Sequence, residues 1–147
     1  MNVLRSLVKQ YEGLARLARD GLVYPYLCPA NYPTRGYGVL VKDMAQPPIT
    51  PQQADEELDR VMPYYMLEAL KAVPSLAKAP SEVWEVIADF TFNLGAARLR
   101  SSTLRKKLLA EDWAGARREL MKWVYGGGRK LRGLELRRAA EASYLPR

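Results

Sequence analysis

The stretch YEGLARLARDGLVYPYLCPANYPTRGYGVL, residues 11–40, decides how the rest of the chain is interpreted. It begins as the end of an amphipathic helix that carries Glu12, and it continues into a segment rich in glycine, proline and tyrosine. That segment holds Cys28 and, six residues later, Thr34, just before the motif GYG at residues 36–38. A carboxylate, a thiol and a hydroxyl carried by one helix-to-hairpin turn predict a functional site, with the remaining chain as its scaffold.

The composition indicates a folded domain and excludes several kinds of site. The chain has 147 residues, of which 48% are hydrophobic and 27% charged, which suits one domain with a real core. Histidine is absent and cysteine occurs once, so His-based triads, His-ligated metals, Cys-rich zinc sites and an internal disulfide are all excluded. We therefore expect neither a metal nor a cofactor.

The net charge of +7 is concentrated in residues 81–147. A basic surface attracts polyanions, which include nucleic acid, anionic lipid and the bacterial wall, although a solvated helical face has the same composition. No apolar run reaches the length of a signal peptide or a membrane span. We therefore expect a protein without stable membrane insertion.

The N-terminal third has a helix followed by strand-like segments. Apolar residues at three-to-four spacing predict a helix over residues 2–19 that stops at Asp20-Gly21. The composition of residues 23–27 and 34–41 predicts a small, irregular antiparallel sheet. A polar loop at residues 42–49 follows.

A clear helix start follows this loop. Thr50 is predicted to be the cap, Pro51 the first helical residue and Gln53 the partner that completes a capping box. The helix should run to about Val61 and be kinked or restarted at Pro63, with a second segment to about residue 72.

The C-terminal half is predicted to be helical throughout. A linker with two prolines separates it from the preceding helix, and Ser81 is the expected cap of its most apolar helix. Further helices are predicted over residues 102–110, 112–125 and 133–144, with a glycine break at residues 126–128. We expect one mainly helical α+β domain over residues 1–147: a first helix and small β lobe at about 1–49, linking helices at about 50–73, and a helical lobe at about 81–147.

These motifs resemble the phage-type lysozymes in order and in kind. The opening stretch carries EGL at residues 12–14, then Cys28, Thr34 and the GYG motif. The second half continues with FTFNLGAARLRSSTLRKKLLAEDWAGARRELMKWVYGGG, residues 90–128, and LRGLELRRAAE, residues 131–141. The resemblance covers nearly the whole chain and implies a two-lobed, lysozyme-like fold.

One spacing departs from the family pattern. Cys28 lies sixteen residues after Glu12, whereas the family's Asp or Cys usually follows its Glu by about nine, so about seven residues within 15–24 are extra. We expect them to lengthen the helix end or to bulge the first strand. They also admit Asp20 as a rival second polar group, but Cys28 keeps the six-residue spacing to Thr34 and is preferred.

The resemblance implies glycoside hydrolysis with Glu12, Cys28 and Thr34 as the catalytic residues. Glu12 is the expected general acid, since partial burial favours a protonated carboxyl. A thiol is a poor general base at neutral pH, so Cys28 is expected to orient the attacking water, which Thr34 places with its hydroxyl. The resemblance further implies substrate-binding roles for Leu40, Phe92, Thr103 and Glu119.

The function implied is that of an endolysin, an N-acetylmuramidase that cuts the β-1,4 bond between N-acetylmuramic acid and N-acetylglucosamine in peptidoglycan and so lyses the host. Its expected partners are glycan strands, with no nucleic acid. We expect a monomer that waits in the host cytoplasm until a separate holin permeabilises the membrane and gives access to the periplasmic wall. The alternatives are a non-catalytic basic module that binds the wall or nucleic acid, and an inactive relative.

Overall fold

The computed structural model describes all of residues 1–147, and helices make up most of it. The predicted class, mainly helical α+β with a small antiparallel sheet, is confirmed. The elements in chain order are α1 (Asn2–Glu12), β1 (Tyr26–Leu27), β2 (Pro33–Arg35), β3 (Val39–Leu40), α2 (Pro51–Ala72), a 3₁₀ helix (Pro74–Lys78), α3 (Ser81–Leu94), α4 (Ala96–Arg100), α5 (Thr103–Leu109), α6 (Trp113–Leu120), β4 (Tyr125–Gly126), β5 (Arg129–Lys130) and α7 (Arg132–Ser143).

The chain divides into two compact units. One is Val8–Pro63; the other joins Met1–Leu7 to Tyr64–Arg147. The division falls at Pro63, inside α2, which is helical on both sides of the proline without interruption. The restart predicted at Pro63 is therefore wrong, because a long helix tolerates the loss of one backbone hydrogen bond at an internal proline.

In the unit Val8–Pro63, α1 ends at Glu12 and not at residue 19 as predicted. Gly13 adopts φ +67°, and its N–H donates to the carbonyl of Lys9 at 3.2 Å. A glycine in the left-handed region directly after the last helical residue is a common helix terminator. The helix therefore presents Glu12 at its very end.

The extra residues after Gly13 neither lengthen the helix nor bulge the first strand, so both expectations are wrong. They form a separate small hairpin in which Leu17 and Val23 pair as an antiparallel bridge. The N–H of Ala18 donates to the carbonyl of Leu22 at 2.9 Å. Val23 is fully buried and pairs on its other side with Ile49 through hydrogen bonds of 2.7 and 3.0 Å. The pairing with Ile49, which is distant in sequence, stabilises the second strand of the hairpin at Val23.

The small sheet has the order β1-β2-β3 and is antiparallel throughout. Thr34 is the cross-strand partner of Tyr26 on one side and of Leu40 on the other. Cross-strand partners project from the same face of a sheet, so these three side chains share one face. The turn between β2 and β3 uses Gly36 at φ +63°, where a Cβ would lie 3.1 Å from the Cβ of Ala54.

The start of α2 matches the sequence prediction. The N–H of Gln53 donates to the Thr50 hydroxyl at 3.1 Å, and the Gln53 side-chain oxygen accepts from the N–H of Thr50 at 2.9 Å. An ion pair between Arg35 and Glu57, both largely buried, then links β2 to α2. Arg35 also donates to the carbonyl of Pro47 at 2.5 Å, so its guanidinium fastens three segments of this unit.

In the other unit, α3 is the buried centre, as its apolar sequence predicts. Residues Val86, Ile87 and Phe90 are fully buried. The expected cap Ser81 is wrong, because Pro80 occupies the cap position and no side chain accepts a hydrogen bond there. Gly95 ends the helix with φ +93°.

The short helices of this unit follow the predictions with small differences. Ser102 caps α5 by accepting from the N–H of Arg105, and Asp112 caps α6 by accepting from the N–H of Gly115 at 2.9 Å. α4 has no counterpart in the sequence prediction. The glycine break opens into a β4–β5 hairpin whose turn is Gly127-Gly128.

Buried charges join α3 to α7. Arg137 makes two hydrogen bonds of 2.7 and 2.8 Å to the carboxylate of Asp89. Arg138 lies 2.9 Å from Glu141, donates to Asn93 at 2.8 Å and is fully buried together with Glu141. Paired arginines of this kind set how one helix packs on another.

Candidate active site

Glu12 is the last residue of α1, and the backbone turns away from the helix axis at Gly13. Its side chain is partly buried. The carboxylate lies close enough to the phenol of Tyr26 for its negative charge to raise the pKa of that tyrosine. This electrostatic contact places the predicted general acid beside the face of the small sheet that carries Tyr26.

Cys28 lies just beyond the end of β1, in a turn that its own backbone closes. Its N–H donates to the carbonyl of Tyr32 at 3.0 Å, and its carbonyl accepts from the N–H of Asn31 at 2.7 Å. Burial raises the pKa of the Cys28 thiol. Hydrogen bonds from the backbone amides of Tyr32 and Ala30 and from the Thr34 hydroxyl together lower it by more, so the net pKa lies below the usual value. The turn therefore stabilises the thiolate form of the sulfur.

Thr34 sits at the centre of β2 and is only 2% exposed. Its hydroxyl donates to the carbonyl of Tyr32 at 2.8 Å and also lies within hydrogen-bond reach of the Cys28 sulfur. A hydroxyl carries one proton, so it donates to one of these two acceptors at a time and keeps lone pairs with which to accept. The structure thus brings Cys28 and Thr34 together across one turn, as their spacing predicts.

Tyr26 joins these residues, and the sequence analysis did not single it out. Burial raises its pKa most, the charges of Glu12 and then Cys28 raise it further, and Arg16 lowers it. The phenol is therefore within electrostatic range of both the predicted acid and the thiol. The signal in the sequence was available, because residues two apart in a strand share a face and Tyr26 precedes Cys28 by two.

Asp20, the rival second group, lies at the tip of the small hairpin and is exposed. Its carboxylate accepts from the N–H of Leu22 at 2.9 Å and from the hydroxyl of Tyr24. The hydrogen bond from Tyr24, followed by that from Leu22, lowers the pKa of Asp20. The carboxylate is thus engaged in closing its own turn.

The four residues expected to bind substrate lie in different parts of the chain. Leu40 is the cross-strand partner of Thr34 and is 59% exposed, so it lies on the face that carries the site. Phe92, Thr103 and Glu119 belong to helices of the other unit.

Each of these three has its own surroundings. The ring of Phe92 meets that of Tyr65 edge to face at 4.8 Å. Thr103 is exposed at the first position of α5, and Glu119 pairs with Lys122 at 2.8 Å.

None of the seven α-helices has the length and apolar character needed to cross a bilayer.

Comparison with known proteins agrees with this fold. The family model described as phage lysozyme matches residues 9–141. An endolysin of Acyrthosiphon pisum secondary endosymbiont phage 1 is 33% identical over 145 residues, which cover 92% of this chain and 89% of that protein.

Two further comparisons differ in how much they cover. A SAR-endolysin of Escherichia phage Mu is 40% identical over 72 residues, which are 48% of this chain and 42% of the relative. The matched part thus spans less than half of the Mu protein. Among solved structures, the muramidase domain of SpmX from Asticaccaulis excentricus superimposes with a TM-score of 0.79 at 20% identity, covering 97% of this chain and 94% of that one. The family match covers most of the sequence, and the chain belongs to the phage lysozyme family.

Proposed function

We propose that the chain is an endolysin, an N-acetylmuramidase that hydrolyses the β-1,4 bond between N-acetylmuramic acid and N-acetylglucosamine in peptidoglycan. One observation supports the proposal most: the Thr34 hydroxyl lies within hydrogen-bond reach of the Cys28 sulfur, and its cross-strand partner Tyr26 lies within electrostatic range of Glu12. An acid and two water-orienting groups around one point are what glycoside hydrolysis requires.

In this mechanism Glu12 donates a proton to the leaving glycosidic oxygen. The sulfur of Cys28 and the hydroxyl oxygen of Thr34 orient a water for attack on the anomeric carbon. The hydrogen bonds that lower the pKa of Cys28 make its surroundings polar, which suits a sulfur that orients that water.

The proposal assigns sugar binding to the side chains of Leu40, Phe92, Thr103 and Glu119. Leu40 offers an exposed apolar surface next to Thr34. Phe92 contributes an aromatic face, and Thr103 and Glu119 contribute polar groups that suit sugar hydroxyls.

In the cell, the protein acts as a monomer that stays in the host cytoplasm and reaches the periplasmic peptidoglycan once a holin has permeabilised the membrane.

The test is lysis of Gram-negative cells whose outer membrane has been permeabilised, followed as loss of turbidity. Glu12→Gln keeps the size of the side chain but holds no transferable proton, so the lytic rate should fall by at least about 100-fold. Glu56→Gln is the matched control, because Glu56 is an exposed glutamate in α2 of the same unit. Lysis by Glu12→Gln at the wild-type rate would refute the assignment.

The non-catalytic alternative makes a different prediction for the same pair of proteins. A basic binding module gains its affinity from the net charge of +7 and needs no acid at residue 12. It would bind sacculi without releasing new reducing ends, with or without Glu12. Membership of the phage lysozyme family favours the enzyme.

A further inference from the structure

The small hairpin at residues 14–24 carries an arginine to the face of the site. Arg16 adopts φ +62°, which is uncommon for a residue other than glycine. Its carbonyl accepts the N–H of Tyr24 at 3.2 Å, and the bridge between Leu17 and Val23 follows directly. The hairpin thus holds the backbone of Arg16 in the left-handed region.

The guanidinium of Arg16 lies over the ring of Tyr26, with its carbon 5.8 Å from the ring centroid. That distance is typical of a cation–π contact. Because Tyr26 is the cross-strand partner of Thr34 and lies within electrostatic range of Glu12, the contact places a positive charge at the edge of the proposed active site.

This positive charge has no acidic partner within the protein. The side chain of Arg16 is exposed and makes neither an ion pair nor a hydrogen bond. By contrast, Arg35 in the same unit is largely buried and pairs with Glu57. A guanidinium has five N–H donors in a planar fork that matches a carboxylate, so the donors of Arg16 are available to a ligand.

We propose that Arg16, held on Tyr26, forms a subsite for a carboxylate of the peptide stems that substitute the glycan strand. This inference rests on the proposed function, since the sugars cut by a muramidase carry peptides with free carboxyl groups. The stacked guanidinium would bind the carboxylate through charge-assisted hydrogen bonds and so position a peptide-bearing sugar next to Glu12.

The experiment separates binding from hydrolysis. Binding of the Glu12→Gln protein to purified sacculi is measured by co-sedimentation, with native sacculi and with sacculi whose free carboxyls have been converted to methylamides. Adding Arg16→Gln should weaken binding to native sacculi about fivefold and leave binding to the methylamidated sacculi unchanged. Arg16→Lys, which keeps the charge without the planar fork, should lose less.

Arg19→Gln is the matched control, because Arg19 is an exposed arginine on the same hairpin and its loss changes the net charge equally. Its effect should be under about twofold. Methylamidation removes only the carboxylates, so a loss with Arg16→Gln that is equal on both kinds of sacculi would indicate a ligand other than a carboxylate and overturn the proposal. An equal loss with Arg19→Gln, or no loss with Arg16→Gln, would overturn it as well.

A failure of the proposed function has a separate signature. The protein with Glu12 intact would then release no new reducing ends from either kind of sacculi. The binding measurement is made with Glu12 replaced, so its outcome decides the Arg16 subsite whatever the result of the hydrolysis assay.

Discussion

The sulfur of Cys28 accepts hydrogen bonds from backbone amides of its own turn and lies beside the Thr34 hydroxyl, so its environment is polar and fixed by the turn. A serine at residue 28 would preserve the size and hydrogen-bonding character of the group while removing the easily ionised sulfur. Asp20, in contrast, is engaged with Leu22 and Tyr24 at the tip of the hairpin.

These environments predict a ranking of two variants. Cys28→Ser should retain partial lytic activity, within about tenfold of the wild type, because a hydroxyl still orients water. Asp20→Asn should lyse at nearly the wild-type rate. Both are measured as turbidity loss of permeabilised cells at equal concentrations of folded protein. The reverse ranking would move the second polar group of the site from Cys28 to Asp20.

Among the residues near the candidate site, the sequence predicted those that lie on one short turn. It missed those whose position depends on how strands pair. Cys28 and Thr34 meet because a single turn joins them, which their spacing reveals. Tyr26 and Arg16 reach the same face only through the register of β1 on β2 and through the hairpin. Sequence spacing alone does not encode that register.

At the scale of elements, most local signals were reliable, although the expected cap Ser81 was wrong, and non-local ones were not. The capping box of Thr50 and Gln53 and the cap Asp112 depend on side chains that bond to nearby backbone, and the structure contains them. The apolar pattern continued past Glu12 and suggested a longer helix. The residues after Glu12 form the small hairpin instead, which the bridge from Val23 to Ile49 stabilises. Only the tertiary structure reveals that pairing.

The contact between α3 and α7 predicts a dependence of stability on pH. Burial raises the pKa of Glu141 most; Arg138 opposes the shift, and Asp89 adds to it, so the pKa in the folded protein lies well above the usual value. A carboxyl with a raised pKa favours the folded state below the pKa of the unfolded chain. That contribution is lost as the pH rises towards the pKa of the folded protein.

The variant Glu141→Gln removes this titration. Between about pH 5 and pH 7 the wild type should therefore lose unfolding free energy relative to Glu141→Gln, by up to about 1.4 kcal/mol per pH unit. Urea denaturation at several pH values measures the difference. The control is Glu135→Gln on the same helix, since Glu135 is partly exposed and pairs with Arg132 at 3.8 Å. Parallel pH profiles for the wild type and Glu141→Gln would mean that Glu141 is ionised in the folded protein.

At the scale of the whole molecule, the net charge of +7 predicts how the protein finds its substrate. Peptidoglycan sacculi are anionic, so a basic protein is attracted to them over distances that salt shortens to about 10 Å at 0.1 M. Much of the charge lies in residues 81–147, where Arg98 and Arg100 are exposed on the short helix α4 and form no ion pair. Their charges are therefore available to contribute to this attraction.

The apparent KM for sacculi should therefore rise severalfold between about 50 and 300 mM salt, while kcat changes little, because screening weakens the encounter and not the chemistry. Removing both charges with Arg98→Gln and Arg100→Gln should raise the KM at low salt and flatten its salt dependence. Glu82→Gln, which removes an exposed negative charge at the start of α3, should shift the KM in the opposite direction. If salt and all three substitutions leave the KM unchanged, the basic surface has no part in binding the wall. The affinity would then depend on uncharged contacts at the site itself.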